Sequence, residues 1–434
     1  YFADVVQFAQ DLRISSDSEG AFNYIAGLYY SKEEQDAPVN IALFTDVDMN
    51  VDGVLDFNDC ADPLLHAAGF GAFATPTGQA VDAAIGGYAE NGLAGSGCQI
   101  RNDYTQTRTS LATYFDGTYE INGDMSLQLG VRYTEDEVEL DDFTASYFGS
   151  DNVNVSEAVL GAPNITQENL PEDSFTDREW SGKLAFNYTS LEDILMYASY
   201  SRGYRSGAFN GQAFNAPVEV TPVDPEILDA YEVGFKSDLL GRSLRVNGAA
   251  FYYEYSDQQF LDIDAATAAQ ILTNIDSSTI KGLELEVIVA VSDALMIRSG
   301  LGYLDTEVDK GVVKGVDVSG NELVQAPELN FNLAIDYDVL FDAGTVRFHV
   351  DTNWVDDQFF DIQNSALIEQ EDYWLTNARV SFSDAHDRYT VAAWVKNIED
   401  KLYNAKPFDL SDFGMVMSHI GAPRTMGVEA TYRF

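Results

Sequence analysis

The sequence predicts an all-β chain folded as a transmembrane antiparallel β-barrel. Three observations carry this reading. Apolar residues recur with period two, the side-chain period of a strand. Tight turns and long loops alternate along the chain, which is the asymmetry of an outer-membrane barrel with short periplasmic turns and long extracellular loops. Aromatic residues reach 12%, with 24 Tyr and 26 Phe in 434 residues, as interfacial aromatic girdles require. A large soluble sandwich core is the competing reading of the aromatics.

The elements follow in order. A strand from about Val5 to Ser15 places Val6, Phe8, Leu12 and Ile14 on one face. It turns at Asp17-Ser18-Glu19-Gly20 into a second with Phe22, Tyr24, Ala26, Leu28 and Tyr30 on one face. Residues 35–103 form a long insertion, rich in Asp, Gly and Ala and poor in strand character. Leu111 to Ile121 then turns at Asn122-Gly123-Asp124 into Met125 to Glu137, and an acidic loop runs on to about Asp177. Trp180 to Thr189 pairs with Ile194 to Tyr204, and Ala230 to Phe235 with Leu244 to Tyr255. Ile280 to Val291, Leu295 to Glu307, Leu329 to Tyr337, Val346 to Trp354, Tyr373 to Phe382 and Tyr389 to Lys396 continue the pattern. The closing stretch sets Met426, Val428, Ala430, Tyr432 and Phe434 against Gly427, Glu429, Thr431 and Arg433. About fifteen strands result, longer than those usual in soluble sheets.

Charges of both signs alternate with apolar neighbours in mid-strand: Lys183, Glu232, Lys236, Glu284, Glu286, Arg347, His349 and Asp351. A dry core would penalise them; a wet lumen accepts them. The solvated face of an open sheet is the competing explanation. No apolar run is long enough for a membrane helix. The net charge of −47 excludes nucleic acid, which demands the opposite sign. The chain starts at Tyr1 without a signal peptide, so it reads as a fragment, with an odd number of strands expected upstream.

Several motifs, in one order, resemble a known family. They are Met196-Tyr197-Ala198-Ser199-Tyr200-Ser201-Arg202-Gly203-Tyr204-Arg205-Ser206-Gly207 with Phe209-Asn210, Ala230-Tyr231-Glu232-Val233-Gly234-Phe235-Lys236, Ile280-Lys281-Gly282-Leu283-Glu284, Val395-Lys396-Asn397-Ile398-Glu399-Asp400, and the closing Gly421 to Phe434. Together they resemble the barrel of TonB-dependent outer-membrane receptors. The resemblance implies a 22-stranded barrel of a Gram-negative outer membrane, of which residues 1–434 are a C-terminal part, with plug and first strands missing. It implies that outer-membrane lipid surrounds the barrel and that an inner-membrane TonB transducer acts through the missing N-terminal region. It also implies that the barrel-assembly machinery reads the terminal Phe434. The imported small molecule is expected to be scarce, with a ferric siderophore or other iron complex as the default. Tyr200, Tyr204, Phe209 and Phe214 lie near a loop mouth where they would touch ligand; anchoring at the membrane interface explains them equally well.

One local motif stands outside the family. Asp48, Asn50, Asp52, Val54, Asp56 and Asp59 fall at positions 1, 3, 5, 7, 9 and 12 of a calcium loop, with Gly53 at the sharp turn. Val54 would offer its carbonyl, and Asp46 is a further candidate ligand. Asp59 replaces the bidentate Glu of helix-flanked loops and resembles the dockerin and thrombospondin types. A solvated acidic loop is the alternative to Ca2+. Cys60 and Cys98 bracket the rest of the insertion, and pairing is expected in an exported protein. Closing so long a loop is worth about 4 kcal/mol in the chain-entropy view. Two free thiols are the alternative.

No catalytic constellation is found. His66, His349, His386 and His419 are scattered, and Glu284 and Glu286 share a strand face with no nucleophile near them in the pattern. The expected function is import by a TonB-dependent receptor and not catalysis. A passive porin and a calcium-dependent carbohydrate-binding barrel are the rivals.

Overall fold

The computed structural model of the chain describes residues 4–43, 98–148, 165–211, 213, 216–263, 270–410 and 415–434. The calcium-like motif, Cys60 and Phe214 lie outside these residues, and only the backbone of Cys98 is described, as the first residue of a strand.

Twenty-one strands form among the described residues. They are β1 (Asp4–Ser15), β2 (Phe22–Asp36), β3 (Val39–Leu43), β4 (Cys98–Asn122), β5 (Met125–Phe148), β6 (Ile165–Thr166) and β7 (Ser174–Leu191). There follow β8 (Ile194–Arg205), β9 (Glu226–Leu239), β10 (Leu244–Ile263), β11 (Gln270–Ser292), β12 (Leu295–Lys310), β13 (Val312–Val313) and β14 (Val316–Asp317). The last are β15 (Leu329–Phe341), β16 (Gly344–Val355), β17 (Tyr373–Asp384), β18 (Tyr389–Lys396), β19 (Asn404–Leu410), β20 (Met415–Ile420) and β21 (Thr425–Tyr432).

Seventeen strands share one sheet. Fifteen of them form a meander in which each long strand pairs antiparallel with the next, from β1–β2 to β18–β21; β3 and β6 only extend β4 and β5. The expected count of about fifteen is met. Every short turn lies at one end and every long loop at the other. β21 ends beside the start of β18, Tyr432 opposite Tyr389, so the chain leaves the sheet at the short-turn end.

The two faces differ as a barrel wall requires. Outward positions of β5 carry Leu127, Leu129 and Val131; inward ones carry Gln128, Gly130 and Arg132. An outward aromatic belt runs near the loop end. Tyr133 packs on Trp180 at 4.9 Å, Tyr200 on Tyr231 at 5.1 Å, Tyr231 on Tyr252 at 6.4 Å and Trp354 on Trp374 at 6.3 Å. A second belt near the short turns holds Phe22, Tyr24 and Phe115, and Tyr389, Tyr432 and Phe434. Such paired girdles mark the two membrane interfaces.

Above the outer belt the polarity reverses. In β5 the inward Val138 and Leu140 are buried, and the outward Glu137 and Glu139 are exposed. In β12 the outward Leu301 and Tyr303 give way to Asp305 and Glu307, while the inward Val308 is fully buried. The outward face has left lipid for water there, and the inward face packs under loops. This corrects three sequence expectations. β4 and β5 run 25 and 24 residues, well past Leu111 and Glu137. The acidic loop expected up to Asp177 is strand through Phe148 and again from Ser174. The described ends of the 35–103 insertion are strand as well, with β3 paired to the start of β4.

The loop end has a small core of its own. Ile275, Val308, Val313, Val318, Leu323 and Ile362 bury one another beneath the β13–β14 hairpin. Asn321 donates to the Ile362 carbonyl at 2.8 Å and Gln325 N–H to Phe359 at 2.8 Å, which ties the β12–β15 loop to the β16–β17 loop.

Candidate functional site

The inward wall is the surface that any solute in the lumen meets. Alternation places one residue in two there, and register aligns them across strands. Arg347 grips Asp338 with two hydrogen bonds of 2.7 and 2.6 Å, and Arg298 bonds Asp336. His349 stands between Asp336 at 2.9 Å and Asp351 at 3.2 Å; Asn377 reaches Asp351 at 2.7 Å. Arg379 approaches Glu429 at 3.8 Å, and Arg245 bonds Asp238 at 2.7 Å. These pairs are solvated and each is worth little. Their number marks this as the polar face of the sheet.

A concavity of about 720 Å³ opens in this wall across β8 to β15. Glu232 forms part of its lining and is held by tyrosine hydroxyls, Tyr197 at 2.5 Å and Tyr253 at 3.5 Å. Asn247 donates to Glu286 at 2.7 Å. Glu284 and Glu286 line the wall, as their alternation suggested. The sequence reading did not single out Tyr197 and Tyr253. Their parity was the available signal: Met196, Ala198 and Tyr200 share the outward face, which sends Tyr197 inward.

Of the four aromatics expected at the ligand mouth, the three described ones, Tyr200, Tyr204 and Phe209, each have separate partners. Tyr200 belongs to the outward belt, with its hydroxyl donating to Asp229 at 2.6 Å. Tyr204 donates to Asp136 at 2.5 Å, a carboxylate also held by Ser110. Phe209 is only 7% exposed and packs on Phe175 at 5.1 Å. Tyr200 thus sits in the outward belt and Phe209 in a buried ring contact. Phe434 extends the short-turn belt beside Tyr432 at 4.9 Å.

The segment after β8 folds back over the wall. Gly207 N–H donates to Asp177 at 2.7 Å, and a Cβ there would collide with the Val223 carbonyl oxygen. Asn102 of β4 donates to Gly211 and Ala213 carbonyls at 3.1 and 2.7 Å; Gln259 of β10 donates to Ser206 and Asp224 carbonyls at 2.9 and 3.1 Å. Burial raises Asp177 above the usual carboxylate range, against the pull of the Gly207 amide. Among the described residues no group of His, Cys, Asp or Glu side chains is arranged to hold a metal ion.

A family model described as TonB dependent receptor-like, beta-barrel, matches residues 4–398. The chain belongs to this family. Among relatives, the probable TonB-dependent siderophore receptor PiuA of Acinetobacter baumannii is 25% identical over 326 residues, which are 71% of this chain and 39% of PiuA. The ferric-pyoverdine 358 receptor of Pseudomonas putida is 24% identical over 257 residues, 57% of this chain and 28% of that receptor. The chain thus spans well under half the length of these relatives. Of solved structures, the ferric yersiniabactin uptake receptor FyuA from Yersinia pestis superposes with a TM-score of 0.69 at 16% identity, covering 99% of this chain and 54% of FyuA. As a member of the TonB-dependent receptor barrels, the chain is an outer-membrane β-barrel protein of a Gram-negative bacterium, and its family is one of receptors rather than enzymes.

Proposed function

We propose that this barrel segment serves a receptor that imports a ferric siderophore across the outer membrane, driven by the inner-membrane TonB transducer. Family membership carries this reading, and the likeness to the siderophore receptor PiuA and to the ferric-pyoverdine receptor supports the cargo class. The wet, ion-paired wall inside an apolar sheath fits passage of a polar solute. The loop end, with a buried core and loops tied to one another, fits a shaped mouth better than a freely open pore.

Growth of a siderophore-deficient strain under iron limitation tests it. The full-length gene should restore growth with at least one added ferric siderophore. Failure with hydroxamate, catecholate and mixed chelates alike would sink the reading. Ca2+ in the insertion and a Cys60–Cys98 bridge are part of the same proposal, as braces for a long extracellular loop.

A further inference from the structure

Among the described residues, five of the seven inward arginines at or below the outer belt contact a carboxylate, Arg13, Arg245, Arg298, Arg347 and Arg379, and Arg433 at the short-turn end does not. Arg132 has none among the described residues. Its neighbours explain why. Asp11 accepts from Tyr114 at 2.9 Å, Asp116 from Gln128 at 3.2 Å, and Asp136 from Ser110 and Tyr204. Glu179, opposite Thr134, makes no ion pair with it. Asp11, which also lies 4.0 Å from Arg13, Asp116 and Asp136 thus accept bonds from neutral donors, and among the described residues the guanidinium has no carboxylate partner in a chain of net charge −47.

One aromatic face lies against it. The Arg132 guanidinium carbon sits 5.1 Å from the centre of the Tyr29 ring, and its Nε donates to Thr134 at 3.0 Å. Tyr114 lies directly opposite Arg132 and reclines over Gly27, where any side chain would displace it. Lys183, opposite Gly130, is the next inward cation and likewise has no carboxylate partner among the described residues. Tyr133, the residue after Arg132, is in the outer belt, so the patch lies just inside the extracellular mouth.

We propose that Arg132 and Lys183, with Tyr29 and Tyr114, form a lumenal subsite for an anionic chelate whose metal-binding oxygens are carried on aromatic rings, a ferric catecholate. This rests on the import reading. The guanidinium supplies directed donors to charged oxygens, and the tyrosine rings supply flat apolar contact to the aryl groups. A neutral chelate gains nothing from either cation.

The test is fluorescence-quenching titration of the full-length receptor with an anionic ferric tris-catecholate and a neutral ferric trihydroxamate. The catecholate should bind, and Arg132→Gln should weaken it about tenfold or more. Arg132→Lys should weaken it less, and Arg347→Gln, at an arginine already paired, should leave it unchanged. Unaltered catecholate affinity in Arg132→Gln overturns the subsite, as does an equal loss for both chelates. If the trihydroxamate binds and is taken up while the catecholate does not bind, the subsite falls and import stands. If cells take up no ferric chelate, both fall.

Discussion

The Asn397 side chain donates to the Ala422 carbonyl oxygen at 3.0 Å. The same amide donates to the Lys401 carbonyl at 2.9 Å, and its oxygen accepts the Lys401 N–H at 2.9 Å. Arg424 adds a bond from Nε to the Ile398 carbonyl at 3.0 Å. Two motifs some 25 residues apart in sequence, Val395–Asp400 and Gly421–Arg424, thus form one staple across the last loop. Asn397 is 5% exposed and holds φ at 50°, a conformation that Asn tolerates. Asn397→Ala should cost about 1–3 kcal/mol by orphaning two carbonyls. The check is the temperature at which the folded barrel loses its compact electrophoretic form, which should fall; Asn397→Asp, which cannot donate when ionised, should lower it too.

The two faces predict opposite responses to one charge. Val233 faces outward and is 56% exposed to what is lipid in the membrane. Ser199 faces the lumen opposite Glu232. Val233→Arg should destabilise the barrel by about 2–4 kcal/mol if it lies near the bilayer midplane. Ser199→Arg should be near neutral. Chemical unfolding in lipid bilayers reads both; equal costs would contradict the assignment of faces.

The segment after β8 depends on Phe209 and Gly207. Phe209→Ala removes a buried ring from Phe175 and should cost about 3 kcal/mol or more of local packing. Limited proteolysis should then cut within residues 206–225 while the barrel stays folded. Gly207→Ala should do the same through the clash with Val223. Resistance to cleavage in both variants would show that the segment is held elsewhere.

The short turn between β17 and β18 is pH-sensitive by construction. Asp384 accepts Tyr389 N–H at 2.6 Å and His386 N–H at 3.2 Å, and these amides, the Tyr389 bond foremost, hold its carboxyl below the usual range. A depressed folded pKa gives stability that is present above the unfolded value, about pH 4, and is lost as pH falls through the folded one. Wild type should exceed Asp384→Ala in unfolding midpoint at neutral pH, and the gap should narrow below about pH 4. A gap that stays constant on acidification would rule out this linkage.

The calcium proposal has its own check. Calorimetric titration of the full-length protein should show saturable Ca2+ binding that Asp48→Ala and Asp52→Ala abolish. Binding unchanged in both variants would remove the site.

How much of this was legible beforehand follows from polarity. Within the membrane, Leu127, Leu129 and Val131 against Gln128, Gly130 and Arg132 give a clean period of two, so strand order, turn positions and face assignment could be read from sequence. Past Tyr133 the outward solvent changes from lipid to water. The apolar phase then moves to Val138 and Leu140 on the opposite face, and a reading that follows one apolar face stops at Glu137. The surroundings of the mouth aromatics were hidden for a related reason. Proximity to a loop does not say which way a ring points; Tyr200 shares parity with Met196 and faces out, and Phe209 is buried by Phe175, which lies far from it in the chain. Arg132 was not singled out, because its lack of a carboxylate partner among the described residues depends on what Asp11, Asp116 and Asp136 bond to, a matter of cross-strand register.

Uptake of an iron-55-labelled siderophore by cells carrying the full-length gene, with and without the TonB transducer, tests the central claim most directly. The account predicts accumulation against the gradient that disappears when the transducer is deleted. Accumulation that persists at the same rate without the transducer would mark a passive channel and contradict it.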